Sequence, residues 1–431
     1  MRRTLALLIV TAIAWGAHLK HFSFDEIHAM PTSIEKDYYI WRFLRQRDTT
    51  PAQARRIIKE VSRLNAKLKK AYRRKTGSTP YVKPKPLYYY KKIDREKKID
   101  KIQGGFAFRK ALQFLRRKQI GKAKDYLYQA YRLFHKRENK DKALFWLYLV
   151  SHRQHHLERL LREGGVDFYT LMAADILEKP YPASKIVTPM PHLKDNPVLN
   201  TADPIAWANV KYRLYDDATD LEALAQLCKS DETIGSYCFI MERASAYEKS
   251  YFPLPYRDVM EKLPIERQAL IYAIARQESR FVPGSVSRSF ALGMMQIMPF
   301  LIDHIAKQKG ERIDYDAIFD PRKAIEYADY HLDYLTSFLY HPLFIAYAYN
   351  GGIGFTKRLL TRKRYFKPGP YEPFMSLETV PNAEAREYGK KVLTNYVIYL
   401  NLLGKPTRLK SFVDVLTDPQ MTDKFRRKTG F

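Results

Sequence analysis

The sequence is poor in several residue types, and each shortage excludes a class of protein. Glycine (18 of 431 residues) and proline (24) are too sparse for a collagen-like or low-complexity chain. Apart from one run near the amino terminus, no stretch approaches the ~18 consecutive apolar residues of a membrane-spanning helix. The abundant residue types, by contrast, are typical of a folded protein. A hydrophobic content of 46% and an aromatic content of 14% exclude global disorder and predict packed cores in two or three domains.

Acidic residues are also scarce, with 46 Asp and Glu against 75 Lys and Arg, so the formal net charge is +29. The excess is concentrated: residues 41–120 hold 26 basic and 5 acidic residues. A zone of this kind suits a polyanion, a membrane surface or an acidic polymer as partner. The alternative is a solvated face that only keeps the protein soluble.

The first residues are typical of a secretory signal peptide. Met1-Arg2-Arg3 is basic, residues 5–14 are apolar, and small residues follow around Gly16 and Ala17. The apolar run is too short to cross a bilayer of ~30 Å, so a cleaved signal over 1–17 is favoured over an uncleaved anchor. We expect the mature protein to be exported to the periplasm.

The two cysteines, Cys228 and Cys238, flank a polar turn. In an oxidising compartment they could form a short-loop disulfide, and two buried free thiols are the alternative, with the disulfide preferred. No histidine lies near them, and His304, His331 and His341 show no ligand spacing, so no metal site is predicted. No phosphate-binding glycine loop is present either, so no nucleotide or other cofactor is expected.

Helical periodicity dominates the chain. Short amphipathic segments with polar turns recur up to about residue 249, which favours stacked helix hairpins, and a proline-rich connection interrupts them at 178–203. Two prolines at 253 and 255 then mark a boundary. We therefore expect a mainly α protein with a helical domain at 18–250 and a second domain at 251–431.

The candidate catalytic and ligand-binding residues lie in the second domain, and the first of them along the chain is Glu278. This residue continues the apolar stripe of Leu270, Ile271 and Ile274, so its carboxyl group points to the buried side of a helix. Burial raises a carboxyl pKa, which a general acid at neutral pH requires. The alternative is a structural glutamate paired with Arg276 or Arg280.

Further along the chain, short polar side chains are placed to contact a ligand. Ser287 and Gln296 lie in the loop after Glu278 and could hydrogen-bond amide or hydroxyl groups, while Met298 could cover a sugar face. Pro299 and Asp320-Pro321 each predict a helix start. A further helix is predicted to end in the left-handed turn Asn350-Gly351-Gly352.

Three ordered motifs resemble the soluble lytic murein transglycosylases over about residues 251–400. They are Glu278-Ser279, the segment 293–299 (GMMQIMP) and the segment 348–352 (AYNGG). The resemblance implies a lysozyme-like catalytic domain preceded by an α-superhelix. It also implies cleavage of the β-1,4 bond between N-acetylmuramic acid and N-acetylglucosamine with 1,6-anhydromuramyl products.

Site residues follow from the same resemblance. Glu278 matches the single catalytic glutamate, Ser287 the serine at the N-acetyl group, and Gln296 and Met298 cleft residues. Tyr349 and Asn350 match the tyrosine and asparagine beside the acid. Segment 380–388 (VPNAEAREY) resembles a further motif in which Glu384 is the second carboxylate of the cleft. Where Phe290 stands the family commonly has glycine, so we expect its bulk to narrow or reshape a sugar subsite.

Two readings compete with this one. The basic zone alone would suit a polyanion-binding or nucleic-acid-binding helical protein, and loss of catalysis would leave a peptidoglycan-binding scaffold. The signal peptide disfavours an intracellular partner, and Glu278 is present. We therefore expect peptidoglycan glycan strands as partner and no nucleic acid. Association with other cell-wall enzymes and peripheral attachment to the cell envelope stay open. The basic zone then becomes a docking surface for an anionic polymer.

Overall fold

The computed structural model describes residues 20–85, 87, 98–189 and 198–427. The signal peptide predicted at 1–17 and part of the basic zone lie outside these ranges. Among the described residues, no helix combines the length and the apolar character needed to span a membrane.

Helices fill the amino-terminal half, as the periodicity predicted. Successive helices between residues 104 and 176 pack against one another, which is the arrangement of a superhelix of hairpins. The α-helices are Phe24–Ala29, Ile34–Arg45, Pro51–Ile57, Ala66–Thr76, Gly104–Arg116, Ile120–Leu133, Arg137–Ser151, His155–Glu163, Phe168–Ile176, Pro204–Leu214, Leu221–Gln226 and Ile234–Ala244, with 3-10 turns at Ile58–Glu60 and Ala183–Lys185.

The carboxyl-terminal half is helical as well. Its α-helices are Arg257–Met260, Ile265–Glu278, Pro299–Lys309, Pro321–Thr336, Pro342–Gly351, Ile353–Leu360, Phe374–Thr379, Ala383–Leu402, Leu409–Asp414, Pro419–Thr422 and Lys424–Arg427, with 3-10 turns at Tyr315–Phe319 and Val415–Thr417. A two-residue strand at Ile186–Val187 pairs in parallel with Ser250–Tyr251.

Local sequence signals account for where several helices begin and end. Thr50 and Gln53 form a reciprocal capping box ahead of Pro51. The Asp320 side chain accepts a hydrogen bond from the backbone N–H of Arg322, with Pro321 at the first helical position. Gly352 (φ +83°) provides the left-handed exit after Gly351. The helix starts at Pro299 and Pro321 and the stop at Gly351-Gly352 were predicted correctly.

Three helices of the second half position the candidate site. We call Ile265–Glu278 the acid helix, Pro342–Gly351 the asparagine helix and Ala383–Leu402 the long helix. The long helix packs against both of the others, and its buried side, which includes Val392, Val397 and Leu400, belongs to the main core. The carboxyl end of the acid helix therefore lies close to the amino-terminal turns of the long helix.

The two halves of the chain meet through buried polar contacts. Lys390 of the long helix lies 2.9 Å from Glu378 and donates a hydrogen bond of 2.7 Å to the hydroxyl of Tyr169, which belongs to the helical half. The Tyr169 hydroxyl in turn donates to Glu378. At a second contact, Arg42 pairs with Asp314 at 2.7 Å and with Asp316 at 2.6 Å. Both contacts attach helical-half residues to segments that flank the site.

The preferred disulfide is not present. Cys228 and Cys238 are both free thiols, buried in one apolar cluster with Trp207, Leu224 and Ile240. Burial raises the pKa of Cys228 to about 12 and holds the pKa of Cys238 well above its usual value. Because oxidation proceeds through the thiolate, this surrounding keeps both cysteines in the role of small apolar side chains.

Candidate active site

Glu278 is the last residue of the acid helix. The preceding turns are held in the core by Leu270, Ile271 and Ile274, as the apolar stripe predicted. Ser279 ends the helix, and its hydroxyl donates a hydrogen bond of 2.8 Å to the carbonyl oxygen of Met294. This contact fastens the end of the acid helix to the following loop, and it leaves the Glu278 side chain partly buried.

The surroundings of Glu278 favour its protonated form. Burial is the largest effect, and together with the negative charge of Glu384 it raises the pKa of Glu278 to about 8. One contact opposes this shift: the Tyr388 hydroxyl donates a hydrogen bond of 2.7 Å to Oε1 of Glu278. At neutral pH the carboxyl group therefore carries a proton that it can donate. The structural alternative is wrong, because Arg276 and Arg280 pair with Glu242.

The asparagine helix closes another side of the site. Tyr349 donates a hydrogen bond of 2.9 Å from its hydroxyl to the carbonyl oxygen of Met295. Burial, with a smaller contribution from the charge of Glu278, holds the pKa of Tyr349 well above its usual value. The Asn350 side-chain amide lies 3.5 Å from Oε1 of Glu384, in the first turn of the long helix. The structure thus brings Glu278, Tyr349, Asn350 and Glu384 together, with Glu384 exposed to solvent.

Ser287 and Gln296 lie in the loop between the acid helix and Pro299, and both make contacts within that loop. The hydroxyl oxygen of Ser287 accepts a hydrogen bond of 2.8 Å from the backbone N–H of Ala291. The amide of Gln296 donates to the carbonyl oxygens of Gly293 at 2.8 Å and Ser285 at 3.2 Å. These side chains stabilise the loop, and their contacts with a sugar stay predictions.

Met298 is the cap residue of the helix Pro299–Lys309 and is partly buried.

Gly293, in the same loop, has φ +72°, and a Cβ there would collide with the carbonyl oxygen of Ile318. Glycine alone combines an unstrained positive φ with the absence of a Cβ, which explains why glycine stands at position 293 of the motif.

Phe290 is buried against the helical half, and its effect on a sugar subsite stays a prediction. Its side chain is 1% exposed and packs against Trp41 at 5.7 Å and Tyr38 at 6.0 Å between ring centroids. Both partners belong to the helix Ile34–Arg45 of the helical half. The backbone at Phe290 has φ +61°, a conformation that favours glycine. Aromatic burial against the helical half therefore holds a side chain where the family commonly has none.

Tyr388 is the functional residue that the sequence reasoning missed. It was quoted within segment 380–388 but was given no role. The signal was present, since Tyr388 follows Glu384 by four residues and residues so spaced share one helix face. Placing Tyr388 beside Glu278 still requires the packing of the long helix on the acid helix, which spacing alone does not supply.

Replacing Tyr388 by phenylalanine should raise the pKa of Glu278 further. The variant removes the hydrogen bond that stabilises the carboxylate, and hydrogen bonds to charged groups contribute about 1.5–3 kcal/mol, so a shift of about one pH unit or more is expected. The measurement is the pH dependence of the rate of turnover at this site. Its alkaline limb should move to higher pH while the maximal rate falls. An unmoved limb would contradict the assigned contact, and Tyr330→Phe on a neighbouring helix is a suitable control.

Comparisons with known proteins match the segment that carries Glu278, Tyr349 and Asn350. The family model described as "Transglycosylase SLT domain" matches residues 260–368. The soluble lytic murein transglycosylase of Escherichia coli (strain K12) is 31% identical over 168 residues, covering 37% of this chain and 25% of that protein. Membrane-bound lytic murein transglycosylase C of Pectobacterium atrosepticum is 34% identical over 160 residues, covering 33% of this chain and 44% of that protein. The chain thus spans about a quarter to under half of the length of these curated relatives.

Solved structures extend the likeness beyond the matched domain. An inactive glutamate-to-glutamine mutant of lytic transglycosylase Slt from Pseudomonas aeruginosa superposes with a TM-score of 0.53 at 18% identity, covering 86% of this chain and 63% of that one. The 70 kDa soluble lytic transglycosylase of Escherichia coli gives 0.50 at 20% identity, covering 91% and 67%. These likenesses show the fold, and they confirm an α-superhelix followed by a lysozyme-like domain. The predicted resemblance is therefore confirmed: residues 260–368 match the transglycosylase SLT domain.

Proposed function

We propose that this protein is a lytic murein transglycosylase that cleaves the glycan strands of peptidoglycan between N-acetylmuramic acid and N-acetylglucosamine. The observation that carries the proposal is the placement of Glu278 at the end of the acid helix, partly buried and beside Tyr349, Glu384 and Tyr388, where burial raises its pKa to about 8. The match of residues 260–368 to the SLT domain supports it. In this proposal residues 251–431 are the catalytic domain and residues 18–250 the helical domain.

Glu278 acts first as acid and then as base. Its proton passes to the glycosidic oxygen, and the bond from that oxygen to C1 of the muramyl residue breaks. The neighbouring N-acetyl group, which Ser287 holds in place, stabilises the positive charge that develops at C1. This route needs no carboxylate nucleophile, consistent with substrate-assisted exceptions to the two-carboxylate scheme.

The second step returns the enzyme to its starting state. The ionised Glu278 takes the proton of the muramyl C6 hydroxyl, and O6 bonds to C1 to close a 1,6-anhydro ring. No water is consumed, and Glu278 ends protonated. Gln296, Met298, Tyr349 and Asn350 line the cleft, while Tyr388 orients the carboxyl group by its hydrogen bond.

Mass spectrometry of digestion products from purified sacculi tests the reaction. Anhydromuramyl products, 18 mass units lighter than the hydrolytic ones (about one water), are expected for the transglycosylase. Products with a free reducing end would show that the protein is a hydrolytic muramidase and not a transglycosylase. Intact sacculi after digestion would leave the second candidate, a non-catalytic peptidoglycan-binding or polyanion-binding scaffold, which the basic zone favours.

The rate of cleavage should fall as pH rises through about 8. The pKa of Glu278 is raised, so the acid form predominates below that pH and is lost above it. A pH profile of turnover on a peptide-free glycan, with ionic strength held constant, measures the alkaline limb. A limb near pH 5, the range of an ordinary glutamate, would contradict the assigned surroundings of Glu278.

Export to the periplasm is part of the same proposal. It is supported by the basic and apolar segments at residues 1–17 and by the location that peptidoglycan itself imposes on the enzyme. Peripheral attachment to the envelope and association with other cell-wall enzymes are compatible with it.

A further inference from the structure

The helix Ala66–Thr76 carries a strongly one-sided charge. Its sequence, AKLKKAYRRKT, contains six basic residues and no acidic one. Leu68, Ala71 and Tyr72 are buried and attach the helix to the core. On the other side four cations are exposed, namely Lys69, Lys70, Arg73 and Arg74. We call these four the cationic face.

The cationic face lacks acidic partners within the part of the chain that the structure describes. Arg73 donates a hydrogen bond of 3.0 Å to the Thr79 hydroxyl, which is neutral, and none of the four residues joins an ion pair there. Lys69 and Arg73 are four residues apart, and so are Lys70 and Arg74. Like charges at this spacing lower the stability of a helix. An external anion would remove this repulsion.

The same helix is attached to the loop that carries Ser287. The side-chain amide of Asn65, its cap residue, donates a hydrogen bond of 3.1 Å to the carbonyl oxygen of Arg288. The ammonium group of Lys67 donates to the carbonyl oxygen of Ser289 at 2.5 Å. The helix that carries the cationic face is therefore joined at its amino-terminal end to the loop that carries Ser287.

Distance along the helix fits a short peptide. Arg74 lies seven residues beyond Lys67, which corresponds to about 10 Å along the helix axis. An extended peptide of four residues spans about 13 Å. A peptide of four residues is therefore long enough to run from Lys67, which contacts the loop that carries Ser287, to Arg74.

We propose that the cationic face binds the carboxylates of the peptidoglycan stem peptides while the glycan strand occupies the site beside Glu278. This inference rests on the proposed function. It predicts a substrate preference in which strands that carry peptides bind more tightly than bare glycan. The gain comes from exposed ion pairs, so salt weakens it.

The experiment measures sedimentation of the protein with sacculi in the E278Q background, which prevents cleavage during the assay. The test variant is K69Q/K70Q/R73Q/R74Q. The matched control removes four other exposed cations of the basic zone, K101Q/R116Q/R117Q/K118Q, which lie on or next to a different helix. Each protein is assayed with intact sacculi, with sacculi freed of stem peptides by an amidase, and with vesicles of equal parts phosphatidylglycerol and phosphatidylcholine.

We expect the test variant to bind intact sacculi roughly tenfold more weakly, equal to about 1.4 kcal/mol. Removing the stem peptides should weaken the unsubstituted protein equally and leave the test variant unchanged, while the control variant binds like the unsubstituted protein. Equal loss in both quadruple variants would reduce the effect to total charge and overturn the proposal. Equal binding of the unsubstituted protein to sacculi with and without stem peptides would also overturn it. A loss of binding confined to the anionic vesicles would overturn it too, because it would show that the surface binds lipid.

The proposed function is tested separately by turnover of peptide-free glycan with Glu278 intact. There the test variant should match the unsubstituted protein. If neither cleaves, the proposed function fails, while the sedimentation results still decide whether the cationic face binds stem peptides.

Discussion

Glu278→Gln should abolish cleavage of peptidoglycan. Glutamine has nearly the shape of glutamic acid but can neither donate the proton to the glycosidic oxygen nor accept one from the C6 hydroxyl. General acid–base catalysis contributes about 10²–10⁴-fold, and one group performs both transfers here, so a loss of at least about 10³-fold in kcat is expected. Release of soluble muropeptides from sacculi measures it.

The matched control is Glu266→Gln. Glu266 lies in the first turn of the same helix, is exposed and pairs with Lys405 at the surface, so its loss should leave turnover unchanged. Sacculus binding by the Glu278 variant should also persist, because the cleft contacts do not depend on the proton. Turnover within threefold of the unsubstituted protein would refute the assignment of Glu278.

A loss of activity in the Glu278→Gln variant must be distinguished from unfolding. The raised pKa of Glu278 predicts whether the variant is more or less stable than the unsubstituted protein. Its folded-state pKa is raised above the unfolded value, so the protonated group is accommodated at low pH and stability is lost as pH rises through about 8. Glutamine cannot ionise. At pH 9 the variant should therefore melt at a temperature equal to or above that of the unsubstituted protein, although it is inactive.

Phe290→Ala should cause the largest loss of stability among single changes near the site. The ring is fully buried against Tyr38 and Trp41, and truncating a buried phenylalanine costs about 3–5 kcal/mol. Chemical denaturation measures the free energy of unfolding. Phe300→Ala is the control, since that ring is 67% exposed and its loss should change the free energy by less than about 0.5 kcal/mol.

A second variant separates the ring contacts from the backbone. At φ +61° alanine is strained and glycine is not, so Phe290→Gly should be up to about 1 kcal/mol more stable than Phe290→Ala. Both variants loosen the loop that carries Ser287 and should raise KM more than they lower kcat. If Phe290→Ala unfolds at the same denaturant concentration as the unsubstituted protein, the aromatic contact does not hold the two halves together.

Sequence reasoning succeeded where a signal is local. Caps such as Asp320-Pro321 and the apolar stripe leading to Glu278 depend on residues within one or two turns, so they could be predicted correctly. The family resemblance predicted that Asn350 and Glu384 lie near each other, and the structure places the Asn350 amide 3.5 Å from the Glu384 carboxylate.

The contacts that sequence reasoning missed join distant segments. Phe290 meets Trp41 across about 250 residues of chain, and no local pattern announces that pairing. Tyr388 reaches Glu278 only because the long helix crosses the acid helix. The cysteines showed the reverse error: proximity along the chain and an expected oxidising compartment suggested a disulfide, whereas both thiols pack into an apolar cluster.

The contact among Tyr169, Glu378 and Lys390 has a consequence for how the molecule can come apart. Lys390 and Glu378 are each almost fully buried, and the hydroxyl of Tyr169 completes their hydrogen bonding from the helical half. Withdrawing Tyr169 would leave two buried charges incompletely hydrogen-bonded, and unsatisfied buried charge is costly. Separation of the halves therefore carries a penalty at the helix that bears Glu384 and Tyr388. The helical half thus supports the helix that carries part of the candidate site, and its removal should disturb the positions of Glu384 and Tyr388.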